Sequence, residues 1–247
     1  MCAALRCDDS DAIGAELARL IDDDGGLTVA HADLTDVFAA LSRAVATSSV
    51  ITALKFSQTR IGGTDVAALI DALTASGNTT LRNLQILFAY HFSPVDARHV
   101  AAALARNTTL REFQLAYTKY DRSHFGDEGA CAFAEVVARN ATLRHLDLSN
   151  NNIESAGVQA LALAAVSNDS LLRLELSGNP CDDEAGHVEA MDAIAAACQV
   201  CAMKNKAVSS ALSGLTDKCL CCLYCSFSVM QPSGWRRLMR ENCMKKK

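Results

Sequence analysis

The chain has 247 residues, half of them apolar, only 5% aromatic and 21% charged, with a formal net charge of −5. That is enough for a sizeable core, and the excess of acid argues against a body that grips nucleic acid, whose phosphates call for cations. Eleven cysteines, an odd number, speak against a complete disulfide framework and for a cytoplasmic or nuclear setting where thiols stay reduced. No secretory leader is visible, and the longest apolar stretch, Leu220–Met230, is about half the length that spans a bilayer.

In chain order, the first predicted element is a helix over Asp9–Ile21, with Asp9, Ser10 and Asp11 as N-caps and Ile13, Leu17, Leu20 and Ile21 on one face. The run Asp22-Asp23-Asp24-Gly25-Gly26 stops it, so residues 1–23 read as a capping helix. Leu27-Thr28-Val29 then resembles a degenerate strand, and Leu34, Val37, Phe38, Leu41 and Val45 mark the helix after it. Terminal repeats are expected to be irregular, because they cover an otherwise open core edge.

From residue 51 one pattern recurs five times: Ile51-Leu54-Phe56-Thr59, Leu81-Leu84-Ile86-Ala89, Leu110-Phe113-Leu115-Thr118, Leu143-Leu146-Leu148-Asn151 and Leu171-Leu174-Leu176-Asn179. The starts lie 28 to 33 residues apart, the period and apolar spacing of a leucine-rich repeat. Each copy predicts a short strand, a turn and a helix, the helices including Val66–Leu73, Ala97–Ala105, Gly129–Ala138, Gly157–Val166 and Ala185–Ala197. Runs such as Ala101-Ala102-Ala103 and Leu161–Ala165 give thin helix faces that pack closely, and alanine favours the helix itself. The solenoid is expected over 24–200, with a cysteine-rich basic tail over 201–247.

Within a copy, positions 1, 4 and 6 should point into the core. Asn151 and Asn179 fall where a buried carboxamide can bond backbone of the adjoining loop. Thr59 and Thr118 can donate one such bond and Ala89 none, so the ladder should be weaker there. The third copy is longer by about four residues near Tyr117–His124, and insertions in solenoids go to loops. Four Asn-x-Ser/Thr sequons, at Asn78, Asn107, Asn140 and Asn168, each follow a helix and precede a repeat's first leucine. They read as structure rather than as glycan acceptors, with asparagine taking the left-handed conformation that ends a helix and the next Thr or Ser bonding nearby backbone.

Leu143-Arg-His-Leu-Asp-Leu-Ser-Asn-Asn-Asn-Ile153, then Gly157 and Leu161, resembles the ribonuclease-inhibitor type of leucine-rich repeat, and Leu171–Pro180 repeats the likeness. Proteins of this type include NOD-like receptor repeat domains, ribonuclease inhibitors and Ran GTPase-activating proteins. The resemblance implies an α/β solenoid with a curved parallel sheet inside and helices outside, and protein binding on the concave face.

That face should carry three columns. The first reads Thr52, Arg82, Arg111, Arg144, Leu172; the second Ala53, Asn83, Glu112, His145, Arg173; the third Lys55, Gln85, Gln114, Asp147, Glu175. A basic stripe beside an increasingly acidic one suits a polar protein surface of complementary charge. Phe88, Tyr90, Tyr117 and Tyr120 near the loop end add the aromatic side chains common in binding hot spots.

In the tail, Cys198-x-x-Cys201 and Cys222-x-x-Cys225 match zinc-ligand spacing but lack the glycine and proline that shape a zinc knuckle. Cys219, Cys221, Cys222 and Cys225 also fit acylation sites, since an apolar stretch and a basic run with Arg236, Arg237, Arg240 and Lys245–Lys247 follow or surround them, a two-signal anchor. Only there is membrane contact expected. Cys131, inside a repeat helix, reads as a small buried hydrophobe. No phosphate-cradling loop, zinc-protease helix or nucleophile elbow appears, and the six histidines lie at no ligand-like spacing. The expectation is a non-enzymatic protein-binding scaffold without a cofactor. A Ran-type GTPase activator and a membrane-tethered adaptor are the rival readings, and no arginine is assignable to the former.

Overall fold

The computed structural model describes residues 20–30, 34, 38–87, 92–116, 125–180, 192, 194–196 and 199–200. Strand and helix alternate throughout: β1 (Gly26–Ala30), α1 (Phe38–Thr47), β2 (Ala53–Ser57), α2 (Gly63–Ala75), β3 (Asn83–Leu87), α3 (Pro94–Arg106), β4 (Glu112–Ala116), α4 (Gly126–Arg139), β5 (His145–Asp147), α5 (Ser155–Ser167) and β6 (Arg173–Glu175). The strands form one parallel sheet in sequence order, β1 to β6. A period-2 pattern decides which side chains face inward. In β2, Leu54 and Phe56 are buried while Ala53, Lys55 and Ser57 are half-buried on the other side.

The register places like over like. Leu27, Leu54, Leu84, Phe113, Leu146 and Leu174 form one continuous buried row, and Val29, Phe56, Ile86 and Leu115 a second. Each such side chain contributes about 1.5–3 kcal/mol by leaving water. The helices close the other side of this core through Val66, Leu69, Ile70 and Leu73 of α2, Val100 and Leu104 of α3, and Phe133 and Val137 of α4. Described aromatics join this core: Phe133 packs against Phe113 and Phe125, with ring centroids 6.1 and 5.5 Å apart. Among the described residues no helix is long and apolar enough to cross a membrane.

The degenerate leading repeat is present, and β1 pairs with β2 with Leu27 opposite Leu54. The first predicted helix lies almost wholly outside the described residues, but its last two positions are not helical. Leu20 is in a turn and Ile21 makes an antiparallel bridge to Leu27. Asp22 explains the change: its carboxylate accepts from the N–H groups of Asp24 and Gly26, and its own N–H bonds the Gly26 carbonyl at 2.9 Å, which folds the chain back. The helix over Ala185–Ala197 is described only in part; Asp192 and residues 194–196 are helical and Ile194 is buried.

All four sequon asparagines are buried between repeats. Asn140 Nδ2 donates to the Leu104 and Asn107 carbonyls at 2.9 and 3.0 Å, while Oδ1 accepts from the N–H groups of Thr142 and Leu143 and from the Thr142 hydroxyl. Asn168 repeats the arrangement against Val137 and Asn140, and Asn78 against Ala46 and Ser48. A carboxamide consumed in this way has no free Nδ2 for a glycan in the folded chain. The conformation differs from the sequence expectation. Asn107, Asn140 and Asn168 have φ of −78°, −77° and −89° in the extended region, and it is Gly77 that takes the positive φ, +66°, before Asn78. The asparagines serve through their side chains, not through a left-handed backbone.

A second ladder closes the strand-to-helix turns of the last two copies. Asn151 Nδ2 bonds the Leu115 and Ser149 carbonyls, and Asn179 Nδ2 those of Leu148 and Leu176. Asn179 Oδ1 accepts from the N–H groups of Asn151 and Ile153 at 2.8 and 2.9 Å. The turns they organise, with Asn150 and Asn152 at φ 56° and Gly178 at 73°, end β5 and β6 after three residues, whereas β1–β4 run for five. Thr59 falls short of its expectation: its buried hydroxyl has no partner, so it adds no rung. Ala89 and Thr118 lie outside the described residues.

Candidate protein-binding face

The face of the sheet turned away from the helices is where the chain has polar side chains to spare. Register sets its columns directly. Ala53, Asn83, Glu112, His145 and Arg173 are consecutive partners across β2–β6, and so are Lys55, Gln85, Gln114, Asp147 and Glu175. Thr52, Arg82, Arg111, Arg144 and Leu172 stand one residue before the strands. Their backbones continue the ladder: Arg82 N–H bonds the Thr52 carbonyl, Arg111 N–H that of Arg82, Arg144 N–H that of Arg111 and Leu172 N–H that of Arg144, each at 2.7–2.8 Å. With neighbouring strands about 4.8 Å apart, each column is a stack of side chains at that interval.

The side chains differ in what they have left to offer. Asp147 is largely committed: it accepts from Gln114 Nε2 at 2.7 Å and from the N–H and hydroxyl of Ser149 at 2.9 and 2.6 Å. Its carboxylate shapes the turn that leaves β5 and links two repeats. Glu175 is paired with Arg173 two positions away on the same strand. His145 is half-buried and its Nε2 is enclosed without a hydrogen-bond partner. Arg82 Nη1 donates to the Thr109 carbonyl at 3.1 Å and Arg144 Nη1 to the Ser170 carbonyl at 2.9 Å. These two arginines therefore tie each repeat to the next as well as lining the face. Arg111 and Glu112 are exposed and have no side-chain partner among the described residues, and Asn83 and Gln85 beside them are half-buried. The central strands thus hold the side chains best able to meet another surface.

Phe88, Tyr90, Tyr117 and Tyr120 lie outside the described residues, as does the third copy's longer loop. So do Cys198, Cys201, Cys219, Cys221, Cys222 and Cys225, with both readings of the tail. Among the described residues no group of His, Cys, Asp or Glu is placed to hold a metal ion. Cys131 is exposed, not buried. The buried stripe of α4 runs through Gly129, Ala130, Phe133, Ala134, Val136 and Val137, and Cys131 falls on the opposite side of that helix. The exposed Leu172, at 38%, is an apolar end to the arginine row that only the folded chain sets beside Arg144.

Repeated strand–helix units, one parallel sheet and stacked leucine rows define a leucine-rich repeat protein. Residues 139–162 match the family described as Leucine Rich repeat. Among solved structures, the chain is similar to leiomodin-1 actin-binding site 2, with TM-score 0.51 and 16% identity over 73% of this chain and 98% of that one. It is also similar to the tropomodulin C-terminal domain of Caenorhabditis elegans, with TM-score 0.50 and 12% identity over 81% of this chain and 98% of that one. At such identity the likeness is one of fold. No curated protein matches the sequence.

Proposed function

We propose that this chain is a non-enzymatic, protein-binding repeat module of the ribonuclease-inhibitor-like kind, and that the sheet face of β2–β5 is its contact surface. One observation carries the reading. The core consumes only alternate strand residues, and the polar ones between them form in-register columns with Asn83, Gln85, Arg111 and Glu112 unengaged by other side chains among the described residues. A rigid sheet that presents side chains in columns loses little conformational entropy when it binds. Support also comes from the fold's company, since one solved structure that shares it is the leiomodin-1 actin-binding site 2.

The test is affinity capture with the full chain as bait, with purified actin as a defined arm beside a cell lysate. Gln85→Trp combined with Glu112→Trp blocks the sheet face by bulk without adding a cation, and Glu135→Arg on the exposed side of α4 is the control. The expected result is that proteins retained by the wild type are lost with the sheet-face variant and kept with the control, at unchanged melting temperatures. Retention of the same proteins by both variants would remove the sheet face from consideration.

A further inference from the structure

The chemistry of the partner can be narrowed, on the premise that the sheet side is the binding side. Arg82, Arg111 and Arg144 occupy the same position in three consecutive repeats, and their main chains are bonded to one another in sequence, at 2.8 and 2.7 Å. At about 4.8 Å per strand the three cations are rooted within about 10 Å, and like charges on adjacent strands repel. The fold holds two of them in place. Arg82 and Arg144 each reach forward to one carbonyl in the turn that feeds the following strand, at Thr109 and Ser170. A guanidinium has five N–H donors, so each keeps spare donors in a fixed orientation. The equivalent carbonyl for Arg111 belongs to Thr142, after the longest repeat spacing, and Arg111 does not reach it; its side chain is exposed and unbonded among the described residues. The row ends on exposed Leu172, whose N–H bonds the Arg144 carbonyl at 2.7 Å.

We propose that this lip of the sheet docks an extended acidic peptide segment, which crosses the strands with carboxylates on Arg82, Arg111 and Arg144 and an apolar side chain on Leu172. Carboxylates pair with guanidinium in the strong, charge-assisted class of hydrogen bond. An extended chain advances about 3.3 Å per residue, so acids one or two residues apart meet cations spaced by one strand. A continuous polyphosphate backbone fits worse. The whole chain is acidic, and exposed Glu112 stands next to Arg111, whereas a peptide can place an uncharged residue opposite it.

The probe is a fluorescein-labelled twelve-residue peptide, ten glutamates followed by two leucines, titrated with the full chain and read by fluorescence anisotropy. Oligolysine and oligothymidylate of equal length are the comparison probes. The basic run that ends the chain is a second cationic place, so Lys245, Lys246 and Lys247 are changed together to alanine in one variant. Expected are binding of the acidic peptide by the wild type and by the tail variant alike, and a loss of about tenfold or more in Arg111→Glu, as removal of a charge-assisted contact implies. Arg111→Glu should melt like the parent, since the side chain bonds nothing that holds the fold. No binding by the wild type, equal affinity of wild type and Arg111→Glu, loss confined to the tail variant, or oligothymidylate bound as tightly as the peptide would each overturn the proposal. The sheet-face reading stands or falls separately, on Gln85 and Glu112 in the capture experiment.

Discussion

In three of the five described helix-to-strand turns, those of Asn78, Asn140 and Asn168, one asparagine carboxamide meets backbone donors and acceptors from two repeats at once. Asn107 reaches the Thr74 hydroxyl instead. Asn140 makes five bonds, four of them to backbone, and an alanine there would leave the Asn107 carbonyl and the Thr142 and Leu143 N–H groups without the partner they have, while the Leu104 carbonyl would keep only the Asn107 N–H. Asn140→Ala is expected to lower the unfolding free energy by about 2–4 kcal/mol, because orphaned buried groups cost more than a net hydrogen bond contributes. Urea denaturation followed by circular dichroism measures it, and a loss under about half a kcal/mol would contradict the ladder as a stabilising device. Thr59 gives the opposite case. Its hydroxyl is buried without a partner, so Thr59→Val should be neutral or raise stability by up to about 1 kcal/mol. A clear loss in the same assay would show that the hydroxyl has a partner after all. The structural role of the sequon asparagines was legible from their spacing relative to helix ends, though not their burial. Their extended backbone was not, because the same residue type suits both a left-handed cap and a side-chain bridge, and only the neighbouring repeat supplies the carbonyls that select the bridge.

Between elements, neighbouring helices come into close approach at first turns that lack a side chain. A Cβ on Gly63 would fall 2.3 Å from the Asp96 Cβ, and one on Gly157 2.8 Å from the Ala130 Cβ. Asp96 uses this proximity: it accepts from the Gly63 N–H at 3.0 Å while also capping its own helix through the Ser93 N–H. Asp127 does the same for α5, accepting from the Glu154 N–H at 2.7 Å. Alanine in place of glycine ordinarily favours a helix by about 0.5–1 kcal/mol. Gly63→Ala should instead destabilise by about 1–3 kcal/mol, through overpacking and loss of the bond to Asp96. Thermal unfolding of the variant checks the sign, and a raised melting temperature would mean that α2 and α3 can move apart freely. The helices themselves were legible from period and composition; α2–α5 each extend beyond the predicted span by a few residues, whereas Leu34, expected to begin α1, is not helical and α1 is described from Phe38. The predicted burial of Cys131 failed because a helix in an array has two covered flanks and one open side, and one sequence cannot say which residue falls on the open side.

For the array as a whole, contacts run from each repeat to its neighbours, so damage should spread along the chain by steps. Leu146 sits in the middle of the continuous leucine row between Phe113 and Leu174 and is fully buried. Leu146→Asp places a carboxylate there without a cation, and should remove hydrogen-exchange protection from β4–β6 first while β2 and β3 keep part of theirs. Equal loss in every strand would indicate one indivisible cooperative unit, and no loss would mean that the repeat register is wrong. Binding adds a second requirement at this scale. The three arginines that precede β3, β4 and β5 belong to different repeats, and only an intact array holds them in one row.

The repeat, its period, the buried positions and the columns of the open face were determined by the sequence alone, because a side-chain alternation of two and a unit length of about 30 residues leave few ways to bury the leucines. The tertiary structure alone decided which of the polar residues remain available. Arg82, Arg144, Asp147 and Glu175 are drawn into bonds with neighbouring turns, repeats or side chains, whereas Arg111 and Glu112 are left exposed. The physical reason is reach: a long polar side chain bonds whatever backbone or partner lies within about 3 Å of its end, and for Arg82, Arg144 and Asp147 such a neighbour comes from a repeat some 30 positions away in the chain.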